Sequence, residues 1–105
     1  MWVVPWLKRL DIAQTTFRRT EPALAMPRTA SEYIHGRVWF TPFATEPVGW
    51  MIEQAGDDLF LFSSDYPHPE GTRDPVGRFE RSLAGVAEPA KDRFYAGNFA
   101  AMMDR

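Results

Sequence analysis

The stretch from Leu59 to Phe62 is apolar without a break, and within three residues it gives way to a loop carrying Asp65, Pro67, His68, Pro69 and Glu70. A run with no polar face suits a strand covered on both sides, and such strands are typical of parallel sheets packed between helices. Chemistry in those sheets gathers at the carboxyl ends of the strands, which is where Asp65 stands.

The segment RVWFTPF, Arg37 to Phe43, is rich in β-branched and aromatic residues and closes on Pro42, so it predicts a second strand. Between the two lies VGWMIEQAG. Pro47 opens it, Val48, Met51, Ile52 and Ala55 make one apolar face, and Gly56 supplies the stop, which together predict a helix. A further helix starts at Asp74, whose carboxylate can accept the first-turn amides while Pro75 takes the next position without needing one. Phe79 and Leu83 form its inner face.

Upstream, Pro5 fits a first helical turn, and Trp6, Leu10, Ala13 and Phe17 share a face. The stretch Thr20–Ser31 reads as a connection, with Ser31 positioned to cap a turn over EYIHG. The closing helical stretch is interrupted at Gly97–Asn98, where Asn98 can end one helix or cap the next. Trp39, Trp50, Phe60, Phe62, Phe94 and Phe99 follow strand and helix faces and are expected in the core.

From Arg37 onward the order is strand, helix, strand, helix, which predicts parallel strands joined by a right-handed crossover. Two strands are not a stable sheet, and only WVV near the start offers a third. The expectation is one partial domain over residues 1–105, with neighbouring strands missing.

Composition narrows the function. Twelve Lys and Arg against 14 Asp and Glu leave a formal charge of -2, so nothing draws the chain to nucleic acid or an anionic membrane. There is no cysteine, which excludes disulfides, thiolate metal sites and a cysteine nucleophile. MWVVPWLKRL reads as neither a signal peptide nor a membrane span, and the cytoplasm is the default compartment.

The segments SEYIHGRVWFTPF, EPVGWMIEQAGDDLFLFSSDYPHPEGTRDP and RFYAGNFAAMM resemble the carboxyl-terminal part of amidohydrolase-related metal-dependent hydrolases. This is the branch that includes aminocarboxymuconate-semialdehyde decarboxylase. The resemblance implies an α/β fold, the carboxyl-terminal portion of a TIM (β/α)8 barrel, with two to three short parallel strands and several helices. A whole barrel takes about 250 residues. At 105 residues the chain is well under half of one.

The resemblance also implies a catalytic and metal-binding role for Asp65, with zinc or another divalent ion in the complete enzyme. The family's other ligands are histidines, and this chain has only His35 and His68. A catalytic zinc takes three protein ligands, so the chain alone is expected to bind no cofactor and to be inactive. Without the resemblance, Asp65 reads as a turn former whose carboxylate caps backbone amides. His68 is a candidate for the substrate mouth, or else a solvated loop residue, and the prolines keep Asp65, His68 and Glu70 from converging on one ion. His35 reads as structural or exposed. Arg73 can reach an anionic substrate or pair with Asp74 at the helix start. The rival function is a non-catalytic module that associates with itself, or with a partner supplying the missing strands, through open sheet edges.

Overall fold

In the computed structural model, described here over residues 1–104, the chain is helical. Helix α1 spans Val3–Thr20, a single 3-10 turn follows at Pro22–Leu24, and α2 spans Ala30–Ile34. Helix α3 is Val48–Ala55 and α4 is Pro75–Ser82. The last three pieces, α5 (Glu88–Asp92), a wide π-helical turn (Arg93–Gly97) and α6 (Asn98–Met103), run on from one another.

The expected parallel sheet is not formed. Among the described residues the two apolar segments meet at a single parallel bridge between Phe40 and Phe60. There the Phe40 amide donates to Leu59 at 2.9 Å and the Leu61 amide to Phe40 at 2.8 Å. A portion of a TIM barrel is therefore not seen. The reason lies in what takes the next hydrogen bonds. The Phe62 amide donates to the carbonyl of Phe94 at 3.0 Å, and the Phe60 carbonyl accepts from the Asn98 side chain at 2.9 Å. The carboxyl-terminal helices thus satisfy groups that a neighbouring strand would have paired.

WVV is not a strand either, because Val3 opens α1. Its buried seam is Val3, Val4 and Leu7, which pack into the core, while Trp6 and Leu10 are only partly covered and Phe17 is 60% exposed. The expected face was displaced toward the amino end, where α1 meets the rest of the molecule. The far half of α1 is held by α2: Asp11 accepts from the Ser31 amide and hydroxyl at 2.8 and 2.7 Å, and Gln14 accepts from the Ala30 amide at 2.8 Å. Ser31 is therefore a tether, and the cap of α2 is Thr29. It forms a reciprocal capping box with Glu32.

Helices α3 and α4 form as expected. Gly56 closes α3 at φ +107°, and the Asp74 carboxylate accepts from the Gly77 amide at 2.9 Å with Pro75 in the first turn. Phe60, Phe79, Phe94, Met51, Leu59, Leu83 and Val48 are fully buried and make the core. The rings of Phe79 and Phe94 meet edge to face at 5.0 Å, and Phe62 joins them at 5.6 and 6.2 Å. Trp39 and Phe62 are partly covered, but Trp50 and Phe99 are exposed and do not belong to the core.

The Cα radius of gyration is 15.8 Å, above the ~13 Å of a compact domain of this length. No helix among the described residues is long and apolar enough to cross a membrane.

Candidate functional site

The loop after Leu61 turns on Asp65, whose φ of +56° places a non-glycine residue in the left-handed region. Local hydrogen bonds hold it there. The Asp65 amide donates to the Ser63 hydroxyl at 3.2 Å and the Tyr66 amide to the Ser64 hydroxyl at 3.3 Å. The chain then doubles back: the His68 amide donates to the Asp65 carbonyl at 2.9 Å and the Gly71 amide to the His68 carbonyl at 3.0 Å. A Cβ at Gly71 would lie 2.8 Å from that Asp65 carbonyl oxygen, so the closure requires glycine.

Asp65 turns the chain with its backbone, and its carboxylate caps no amide among the described residues. Oδ2 is buried and has no hydrogen-bond partner. A buried acceptor left unpaired costs about 1–3 kcal/mol, and a strained backbone at the same residue adds to that. Both are features expected of a residue held for a task other than stability.

His68 lies on the outer side of the loop, where it lines a cleft of about 420 Å³ together with Ser64, Tyr66, Pro67, Thr72 and Arg73. Arg73 faces this cleft and makes no ion pair with Asp74 among the described residues. Asp65, His68 and Glu70 do not converge. No group of three or more His, Cys, Asp or Glu side chains that could hold a metal comes together among the described residues. The donor set for a zinc ion is therefore a single carboxylate with a vacant lone pair, which fits one ligand of a site and does not make a site.

His35 is half-buried, and its Nδ1 sits 2.8 Å from both carboxylate oxygens of Asp58, tying the end of α2 to the turn before Leu59. Next to it Arg93 pairs with Asp57 at 3.0 Å. Asn98, expected to end one helix or cap the next, caps neither with its side chain, and the role that sequence reasoning missed is a long-range one. Only 5% exposed, Asn98 donates to the carbonyls of Asp57 and Phe60 at 2.8 and 2.9 Å and so anchors the segment that leads to Asp65. Its one signal was an unusual polar residue between aromatic positions. Behind the site, the Tyr95 hydroxyl is buried without a partner in normal geometry. Burial first, and then the nearby Glu80 carboxylate, push its pKa up.

No family model matches the chain, and no curated protein matches it. A crystal structure of an amidohydrolase from Mycobacterium avium subsp. paratuberculosis K-10 is similar, with a TM-score of 0.73 and 27% sequence identity over 92% of this chain. The chain resembles part of an amidohydrolase. It spans 25% of the length of that enzyme chain. The likeness supports the amidohydrolase superfamily, and a hydrolase-like fragment is the coarse description that follows.

Proposed function

We propose that the chain is a carboxyl-terminal segment of an amidohydrolase-like, metal-dependent hydrolase or decarboxylase, of the branch that includes aminocarboxymuconate-semialdehyde decarboxylase. Its contribution is Asp65, one acidic ligand and proton acceptor, with His68 at the substrate mouth. The observation that carries this reading is the Asp65 carboxylate: its Oδ2 is buried, unpaired and presented from a strained loop. A divalent ion such as zinc, held by a complete ligand set, would polarise a substrate carbonyl and acidify bound water. This chain alone lacks the histidines for that set and is inactive. Its proposed compartment is the cytoplasm.

Grafting tests the reading. Residues 1–104 would replace the matching quarter of the M. avium amidohydrolase, and the chimaera would be compared with its Asp65→Asn form. We expect an active chimaera whose kcat falls by roughly a hundredfold or more in the variant, with the fold retained. A folded, active chimaera indifferent to Asp65→Asn would overturn it.

A second reading, an association module, draws on the surface. Trp2, Phe43 and Trp50 are 61%, 48% and 44% exposed, and Trp2, Trp6 and Phe40 stack edge to face at 5.6–6.0 Å on one side of the molecule. Aromatic surface of that kind favours self-association or a partner carrying the remaining segments of the enzyme.

A further inference from the structure

Along α1 and the residue before it, Trp2, Trp6, Leu10, Ala13 and Phe17 fall four, four, three and four positions apart, so they share one helical face. The two ends of that face are open. Trp2 is 61% exposed and Phe17 60%, while Trp6, Leu10 and Ala13 between them are only partly covered. The amino end is a preformed aromatic platform, because Trp2 and Trp6 meet edge to face at 5.8 Å and both meet Phe40, at 5.6 and 6.0 Å. At the other end the chain projects: every residue from Thr15 to Ala23 is exposed.

Charge divides along the same helix. Residues 1–30 hold Lys8, Arg9, Arg18, Arg19 and Arg28 against Asp11 and Glu21, a formal +3 in a chain whose total is -2, so the remainder carries -5. None of those five cations is in an ion pair among the described residues. The molecule, 51 Å by 28 and 27 Å, is thus an elongated body of negative charge with a positive arm. A membrane or polynucleotide attracted by the arm would be repelled by the body. A copy of the same chain turned end for end meets no such conflict, since each arm then lies beside the other's acidic body and the two basic ends stay apart.

We propose that a second copy of the chain covers this face, the two α1 helices packing antiparallel so that Phe17 of each copy meets the Trp2 and Trp6 platform of the other. The contact is isologous, and it sets small Ala13 near bulky indoles instead of ring against ring along the whole seam. It rests on the association reading above and not on the hydrolase one. The two exposed rings offer roughly 250 Å² per copy, well under the ~800 Å² per partner of a standard interface, so the dimer is weak.

Sedimentation equilibrium of the full chain from about 5 to 500 µM tests it, with an expected dimer Kd of roughly 10–100 µM. Phe17→Glu lies outside the core, should leave the circular dichroism and urea unfolding unchanged, and should weaken the dimer at least about tenfold. Ile12→Glu is the control: Ile12 is 58% exposed but lies about 140° around the helix from Phe17, and the dimer should survive its loss. The chain has no cysteine, so Thr20→Cys carries a single spin label. In an antiparallel pair of 18-residue helices the two labels should stand about 25–30 Å apart. Labels closer than about 20 Å, a dimer indifferent to Phe17→Glu, or one broken equally by Ile12→Glu would overturn the proposal and leave association through another surface. A monomer throughout the range would overturn the proposal and self-association together, leaving the face to a different chain.

Discussion

The side-chain amide of Asn98 donates to the main-chain carbonyl of Phe60 at 2.9 Å, a contact between residues 38 positions apart. The same nitrogen reaches Asp57 at 2.8 Å, so one side chain fastens α6 along the segment that leads to Asp65. Asn98→Ala leaves both carbonyls without a donor and should destabilise the fold by roughly 2–4 kcal/mol in urea unfolding. Asn98→Asp, which sets an acceptor against two acceptors, should cost at least as much. A loss under about 1 kcal/mol in both would mean that water replaces the amide freely.

Close approach of two helices gives another sensitive point. A Cβ on Gly49 would lie 2.1 Å from the Ser82 carbonyl oxygen, and the Gly49 amide donates to the Ser82 hydroxyl at 3.1 Å. Gly49→Ala must push α3 from α4 and should cost roughly 3 kcal/mol, while Ser82→Ala removes only the hydrogen bond, about 1 kcal/mol. Thermal unfolding of the two variants side by side should rank them in that order.

Asp65 should be a site where the residue present is less stable than its replacement. Asp65→Gly relieves the left-handed backbone and removes the unpaired carboxylate oxygen, against an entropic loss of about 1 kcal/mol for the added glycine. The expected outcome is a gain of about 1 kcal/mol. Equilibrium unfolding that shows a loss of similar size would mean the carboxylate holds the loop together.

Zinc added to the isolated chain should find no stoichiometric site of micromolar or better affinity in calorimetry, since one carboxylate is a weak ligand. A tight site that disappears with Asp65→Ala would show that a ligand set assembles within this chain.

Alkaline conditions should weaken the fold through Tyr95. Its raised pKa means that the folded chain keeps the phenol proton at pH values where an unfolded tyrosine, with a pKa of about 10, has lost it. Below pH ~10 the contribution to stability is fully present, and it is lost as pH rises toward the folded value. Stability measured from pH 8 upward should begin to fall near pH 10, and Tyr95→Phe should flatten that part of the curve.

Local chemistry was legible in the chain, and distant chemistry was not. The cap of α4 needs only Asp74, Pro75 and Gly77 within one turn, and the ends of α3 need only Pro47 and Gly56, so neighbouring letters sufficed. The apolar run Leu59–Phe62 correctly announced burial. It could not announce pairing, because whether such a run enters a sheet depends on which groups reach its amides and carbonyls, and here those are Phe94 and Asn98. The face of α1 was misplaced for a related reason: Phe17 keeps the helical period but lies beyond the point where the helix leaves the core. At the candidate site, the position of Asp65 at the end of the run was readable. Its backbone strain and its unpaired oxygen were not, since both arise from the way Ser63, His68 and Gly71 close the loop around it.

The wide turn Arg93–Gly97 acts as a phase shifter between the two ends of the carboxyl-terminal helix. Such a turn accommodates one residue more than a regular helix, and each residue of a regular helix advances about 100° around the axis. Without the extra residue, Phe94 would still face Phe62 and Phe79, but everything after it would be rotated by that angle and Asn98 would look away from Phe60. A shortening of the chain by one residue in this turn would therefore leave the helix intact, and even more regular, while disconnecting it from the segment it secures. The irregular geometry is what allows one continuous helix to pack aromatic rings at one end and bind carbonyls at the other.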